Sequence, residues 1–309
     1  MIKMSKVGII DIGSNTFNLL VSCTKSKENI YSKEIHVGIR KGTKQNIIQK
    51  KTIKESIVTI QEFKKICKKF NCKEIHIVAT ASLRNAINKN EFIETCKKET
   101  NLIVNVISGD MEAELIFNAI LNNIKDFDDF VIVDIGGAST EFIITKNKKS
   151  VFKKSFNFGS QLLIEKFNPS DPIKEEEEDI KRFLKEKLQD LTSSLKKHKI
   201  KKIIGTSGSF NCITKIQLKK KYRTEYQILN IDHYKETISP EILNSTINQR
   251  EKIPGLLKMR AENIIITIIL INFLLNQGVE NIYTTKFSLK NGVFSNILNN
   301  ITPWQKSLL

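Results

Sequence analysis

Two stretches of this sequence carry residues of the kind that handle phosphate. Asp11-Ile-Gly13-Ser14-Asn15-Thr16 and Asp134-Ile-Gly136-Gly137-Ala138-Ser139-Thr140 each set an Asp before a glycine turn of small residues. Glycine lets a backbone approach an anion closely, and successive turn N–H groups form a cup for phosphate oxygens. Ser14, Asn15 and Thr16, or Ser139 and Thr140, add side-chain donors. The Asp at the strand end cannot comfortably face phosphate itself, but it can hold Mg²⁺, which then bridges carboxylate to phosphate. One Asp-x-Gly turn is common in proteins. The pair is informative because its contexts match: residues 7–21 (VGIIDIGSNTFNLLV) align without gaps to residues 130–144 (FVIVDIGGASTEFII) at an offset of 123.

Each copy is an apolar run, a turn and a second apolar run rich in β-branched and aromatic residues, which predicts a β-hairpin. Around the first copy the periodicity predicts a strand at 30–39, a helix at 53–70, a strand at 74–79, a helix at 90–99, a strand at 103–107 and a helix at 110–124. The second copy is followed by a predicted strand at 150–157, a short helix from Ser160, and one long helix at 173–198. A strand into a glycine turn (202–208), helices at 209–221 and 240–250, a buried helix at 261–276, a strand at 281–285 and a last helix from Leu289 complete the chain. The pattern is α/β in two domains, 1–124 and 125–309, the last helix being free to pack back on the first.

The chain of 309 residues carries a formal net charge of +17, which attracts anionic partners. It holds 44 Lys and only six Arg, in a chain also rich in Ile and Asn, so part of the charge reflects composition. Arg grips phosphate bidentately, which makes Arg40, Arg84, Arg182, Arg223, Arg250 and Arg260 more informative than any lysine run. The five cysteines are odd in number and form no C-x-x-C, and the four histidines are scattered, which argues against a disulfide framework and a zinc site. The first residues hold no apolar leader core, and the apolar run at 264–275 is too short for a membrane span, so a cytoplasmic location is expected, with no membrane partner. Dispersed lysines without a binding motif argue against nucleic acid. The acidic run at 175–179 reads as the favoured N-terminal end of a solvated helix.

The doubled signature resembles the exopolyphosphatase/guanosine pentaphosphate phosphohydrolase (Ppx/GppA) phosphatases, of the actin, Hsp70 and sugar-kinase superfamily, in their short two-domain form. The resemblance covers essentially the whole chain and implies a ribonuclease H-like fold with the active-site cleft between two domains. It makes residues 11–17 the first phosphate motif and residues 134–141 the second, and it implies Mg²⁺ (or Mn²⁺) held by Asp134, Glu141 and Asp11. ATASLRNAIN (79–88) resembles the segment whose arginine reaches the substrate phosphates, here Arg84, and VISGDMEAELIF (106–117) the segment bearing the proposed catalytic glutamate, here Glu112. Glu112 lies in the first turn of a predicted helix on the segment joining the halves, and water attacking a phosphoanhydride needs such a carboxylate to take its proton. HVGIRKG (36–42) resembles a basic loop and sets Arg40 near the phosphates. IIGTSGSFNCI (203–213) resembles the turn that holds a nucleoside, with Gly205, Ser207, Gly208 and Ser209 lining the cleft, and Gly159 is expected at a turn facing the second loop. The family pattern is broken at Ala138, at Leu162, and at 285–292, where an Asp, a Gly and an Arg are replaced.

The leading expectation is an Mg²⁺-dependent exopolyphosphatase that removes the terminal phosphoryl group of inorganic polyphosphate. Conversion of guanosine pentaphosphate to tetraphosphate is the alternative within the class, and a non-catalytic sensor of guanosine tetra- or pentaphosphate or another nucleotide the competitor outside it. A homodimer is also allowed. A kinase is disfavoured because no acceptor-pocket signature is present.

Overall fold

The computed structural model describes residues 5–218 and 224–308; Arg223 and the end of the helix expected at 209–221 lie outside them. The chain forms two compact units, one running to Ala119 and resuming at Leu289, the other Ile120–Ser288. The division drawn at 124/125 therefore moves to 119/120, and the stretch from Leu289 groups with the first unit.

In the first unit the strands Lys6–Ile12, Thr16–Cys23 and Asn29–His36 form an antiparallel meander. On its other side Cys72–Ala79 pairs in parallel with Lys6–Ile12, and Val104–Val106 pairs in parallel with Cys72–Ala79. The helix Lys50–Lys69 buries Ile53, Ile57, Ile60, Phe63 and Cys67, the stripe that a 3.6-residue period lays on one face. The second unit repeats the scheme: Phe130–Ile135, Thr140–Lys146 and Lys149–Phe156 form the meander, and Lys202–Thr206 and Asn281–Thr285 follow in parallel. Tyr226–Ile228 adds an antiparallel edge. The helix Ile264–Leu275 is apolar all round and buried over most of its surface, as its sequence requires. Among the described residues no helix is long and apolar enough to cross a membrane.

The expected helix at 173–198 is two helices, Glu176–Lys187 and Gln189–His198. Its buried stripe of Ile180, Leu184, Leu188, Leu191 and Leu195 is unbroken, so periodicity alone could not show the bend at Leu188. The helix expected at 240–250 is likewise two short ones, Ser239–Leu243 and Ile247–Arg250, because Thr246 and Gln249 form a capping box inside it.

The C-terminal tail is clipped to the first sheet. Ser307–Leu308 pairs with Ile75 and Glu74, and Trp304 Nε1 donates to His76 Nδ1 at 3.0 Å. His76 Nε2 then carries the proton and donates to Glu74 Oε1 at 3.0 Å, while Lys306 Nζ reaches Glu74 at 2.6 Å. The His76 hydrogen bond holds the Glu74 carboxyl down to about 2 from its ordinary 4.5, Lys306 adding to the effect and burial opposing it. The folded value lies below the unfolded one, so this stabilisation is full above about pH 4.5 and is lost as pH falls from there towards 2. Glu74→Gln is expected to flatten the fall of Tm across that acid window, measured by thermal melts at stepped pH; an unchanged slope would show that the clip does not contribute.

Candidate functional site

The two hairpins match residue for residue. Asp11 pairs with Asn18 and Ile12 with Phe17 in one, Asp134 with Glu141 and Ile135 with Thr140 in the other, the same register at the repeat offset. Each turn is closed by the same bond: Gly13 N donates to Thr16 O at 3.1 Å, and Gly136 N to Ser139 O at 3.0 Å. A Cβ on Gly13 would sit 2.8 Å from the Thr16 carbonyl oxygen, so the turn needs glycine there.

In the first unit the turn's carbonyls are tied back by the segment that leaves the third strand. Arg40 N donates to Ser14 O at 3.0 Å, and Val37 N and Gly38 N both donate to Asn15 O, at 3.0 and 2.9 Å. This seats the backbone of Arg40 beside the first loop. Those two carbonyl oxygens are thereby engaged, and Asn15 Oδ1 is buried without a hydrogen-bond partner. Asp11 is oriented by Asn18 Nδ2, 3.2 Å from its Oδ2.

Arg84 and Glu112 meet. Thr80 N donates to Ile12 O at 3.2 Å, which fixes the short helix Ala81–Arg84 to the strand leading into the first loop. Ser108 opens the helix Gly109–Asn123 by accepting the Met111 amide at 3.1 Å, and Glu112 follows in its first turn. Arg84 Nη1 donates to Glu112 Oε2 and to Ile107 O, both at 3.0 Å. Arg84 Nη2 is buried with no partner, and so is Ser82 Oγ two residues earlier. A buried donor on a charged group costs free energy until a ligand fills it, and an anion is the ligand a guanidinium takes. Gly292 lets the helix Leu289–Leu298 touch this support, since a Cβ there would fall 1.9 Å from Leu115 O.

In the second unit the helix Ser160–Phe167 does the tying. Ser160 N donates to Gly136 O at 2.9 Å, and Gln161 N and Leu162 N donate to Gly137 O at 3.0 and 3.1 Å. Gly159 lies against the loop backbone, as expected: a Cβ would stand 2.6 Å from Gly136 O and 2.7 Å from Ala138 N. Ser139 and Ala138 are buried beside it, and Gly137 completes the turn. Asp134 accepts the Ser207 hydroxyl at 2.7 Å, and Glu141 accepts that of Ser155 at 2.7 Å. Directly opposed residues of antiparallel strands share a face, so these two buried carboxylates project from the same side of the hairpin. Hard carboxylate oxygens of this number suit Mg²⁺, which takes one or two protein carboxylates and completes its shell with water and phosphate. Among the described residues no group of three or more His, Cys, Asp or Glu side chains is placed to hold a metal ion.

Three predicted site residues serve the fold instead. Gly205 is filled by the Phe210 ring, 2.0 Å from where a Cβ would stand. Ser209 Oγ donates to Ile135 O at 3.2 Å, and the Thr140 hydroxyl spends its proton on Phe158 O at 2.8 Å. Gly205 and Ser209 are therefore interior rather than cleft-lining, and Thr140 has no proton left for phosphate. Ser207 and Gly208 stay beside Asp134, the latter under the guanidinium of Arg260. Asn18, Ser82 and Ser155 were missed. Asn18 was findable, because the repeat aligns it with Glu141; the other two carry no motif.

A family model described as the Ppx/GppA phosphatase family matches residues 26–301. The chain belongs to the Ppx/GppA phosphatase family. Among solved structures, an exopolyphosphatase from Cytophaga hutchinsonii is 27% identical, with a TM-score of 0.91 over 96% of this chain and 99% of that one. The Aquifex aeolicus family member is 24% identical, with a TM-score of 0.80 over 97% of this chain and 99% of that one, and shares the fold. A bifunctional 3-dehydroquinate synthase/phosphatase of Fusobacterium nucleatum is 33% identical over 217 residues, 65% of this chain; the match spans 32% of that relative's length.

In this Ppx/GppA chain Ser207 holds Asp134 from a left-handed backbone, φ +65°, which costs a non-glycine residue roughly 1–2 kcal/mol. Ser207→Ala keeps the strain and loses the bond, while Ser207→Gly loses the bond but relieves the strain. Urea denaturation is expected to place Gly above Ala by about 1 kcal/mol, since both lose the bond and only Gly relieves the strain; equal stability of the two variants would remove the strain argument.

Proposed function

We propose that this chain hydrolyses the terminal phosphoanhydride bond of inorganic polyphosphate. The observation that carries the reading is Arg84, whose one nitrogen binds the proposed base Glu112 while the other is buried and unfilled. A phosphate oxygen at that nitrogen would lie beside the carboxylate that must take a proton from water. The oxygen of water bonds to the terminal phosphorus, the bridging P–O bond breaks, Glu112 takes the proton, and the shortened chain leaves with the bond's electrons. Arg84, Arg40 and the amides of the first loop hold phosphate oxygens as negative charge shifts among them. Asp134, with Glu141 beside it on the same face of the hairpin, would hold Mg²⁺ or Mn²⁺, which when bound neutralises charge on the phosphates. Gly137, Ala138 and Ser139 would offer the amides of the second loop to phosphate oxygens.

Polyphosphate is favoured over a guanosine substrate by the same geometry. Two of the four residues expected to hold a nucleoside, Gly205 and Ser209, are committed to the core. The likeness to an exopolyphosphatase covering 99% of that chain supports the same choice.

Phosphate release from polyphosphate, guanosine pentaphosphate and ATP, compared side by side with Mg²⁺ and with chelator, tests the proposal. Release is expected from polyphosphate, with the cation required; no release from polyphosphate, or tight guanosine tetraphosphate binding without turnover, would overturn it. Glu112→Gln is expected to lower kcat by about 10²–10⁴-fold with KM changed little. An unchanged kcat would remove Glu112 from the chemistry.

A further inference from the structure

Lysines are so numerous here that most clusters need no function, and the informative ones are those the fold does not explain. Lys68 and Lys69 end the helix Lys50–Lys69, and Lys196, Lys197 and His198 end the helix Gln189–His198. Positive charge is favoured at that end of a helix. Lys146, Lys154 and Lys201 each meet an acidic partner, Asp129, Asp190 and Glu280.

Residues 40–54 hold Arg40, Lys41, Lys44, Lys50, Lys51 and Lys54, with no acidic residue in that stretch of sequence. All five lysines are exposed. Lys50 and Lys51 open a helix whose first turn has no acidic residue, the end where positive charge is disfavoured. The helices Gly109–Asn123 and Glu176–Lys187, by contrast, open on acids. Lys51 has one acidic neighbour, Glu55 at 3.9 Å, an exposed pair worth little.

The backbone gathers these charges. After Arg40, whose amide is bonded to Ser14 O of the first loop, the chain makes a two-stranded ribbon, Thr43–Lys44 with Ile47–Ile48, turning at Gln45 and Asn46. Gln49 N then donates back to Gly42 O at 2.9 Å, and Thr52 packs on Gly42. Lys50 and Lys51 thus return beside the Arg40–Lys41 turn, next in the chain to the bond that holds the first loop.

We infer that residues 40–54 form a surface for long-chain polyphosphate, taking the part of the chain beyond the phosphates gripped at the first loop; this rests on the polyphosphate reading above. The charge complements a linear polyanion, and the cost of setting lysines at a helix N-terminus is recovered when that polyanion binds. A short substrate such as tripolyphosphate has no length to spare for it.

The test replaces Lys44, Lys50, Lys51 and Lys54 together by Gln and leaves Arg40 in place. A control replaces Lys149, Lys154, Lys196 and Lys197, removing the same charge elsewhere. In the first variant KM for long-chain polyphosphate is expected to rise about tenfold or more, with kcat and KM for tripolyphosphate unchanged and Tm unchanged or raised. The dependence of log KM on log salt is expected to flatten by roughly 3, four phosphate contacts each releasing most of a counterion. Unchanged long-chain KM, or an equal rise in the control, overturns the surface. Retention of labelled long-chain polyphosphate, measured beside turnover, separates the two readings. Binding that needs these lysines but gives no phosphate supports the surface and sinks the hydrolytic reading, while turnover with indifferent lysines does the reverse.

Discussion

A turn that offers its amides to an anion must first hide its carbonyl oxygens, and the rest of each unit is arranged around that requirement. In the first unit the amides of Val37, Gly38 and Arg40 cover the carbonyls of Asn15 and Ser14; in the second those of Ser160, Gln161 and Leu162 cover Gly136 and Gly137. The donors come in both cases from the chain just after the third strand of the meander. The third strand is therefore part of the loop's chemistry, since it delivers the group that neutralises the turn's own dipoles. Gly159 follows from the same constraint, because a helix N-terminus can press this closely on the loop only where a side chain is absent.

Most of this was legible because it repeats. The aligned hairpins predicted two strands, a turn and a second related unit, and the register match bears that out down to the paired residues. Arg84 and Glu112 were readable only through resemblance to a family, since their spacing of 28 residues has no local meaning until strands and helices bring them within 3.0 Å. What failed to read has physical causes. The buried stripe through Leu188 continues across a bend, so periodicity ran two helices into one. Gly205 looks like a nucleotide-turn glycine in sequence, and only the Phe210 ring lying over it shows that it makes room for the core.

The two loops share geometry but differ in chemistry. At the position opposite the Asp, one hairpin has Asn18, which donates to Asp11, and the other has Glu141, which adds a second carboxylate beside Asp134. The turn itself is Ser-Asn in one and Gly-Ala in the other. The position opposite the Asp is therefore neutral in the first hairpin and a second carboxylate in the second, which concentrates negative charge there.

Two arginines show how satisfied donors distinguish support from function. Arg250 is almost wholly buried, yet its nitrogens donate to the carbonyls of Ala261, Ile242 and Ser245 and to Asp171, so it closes a local structure and asks for nothing more. Arg84 spends Nη1 twice, on Glu112 and Ile107, and leaves Nη2 buried and unfilled. An unfilled buried donor costs about 1–3 kcal/mol, more on a charged group. A fold carries that cost where binding removes it, and the group that removes it here must be small, anionic and able to reach a nitrogen bonded to the same guanidinium as Glu112. A phosphate oxygen meets all three conditions. On the proposed reading, the cost borne in the free protein would become affinity for the substrate phosphate.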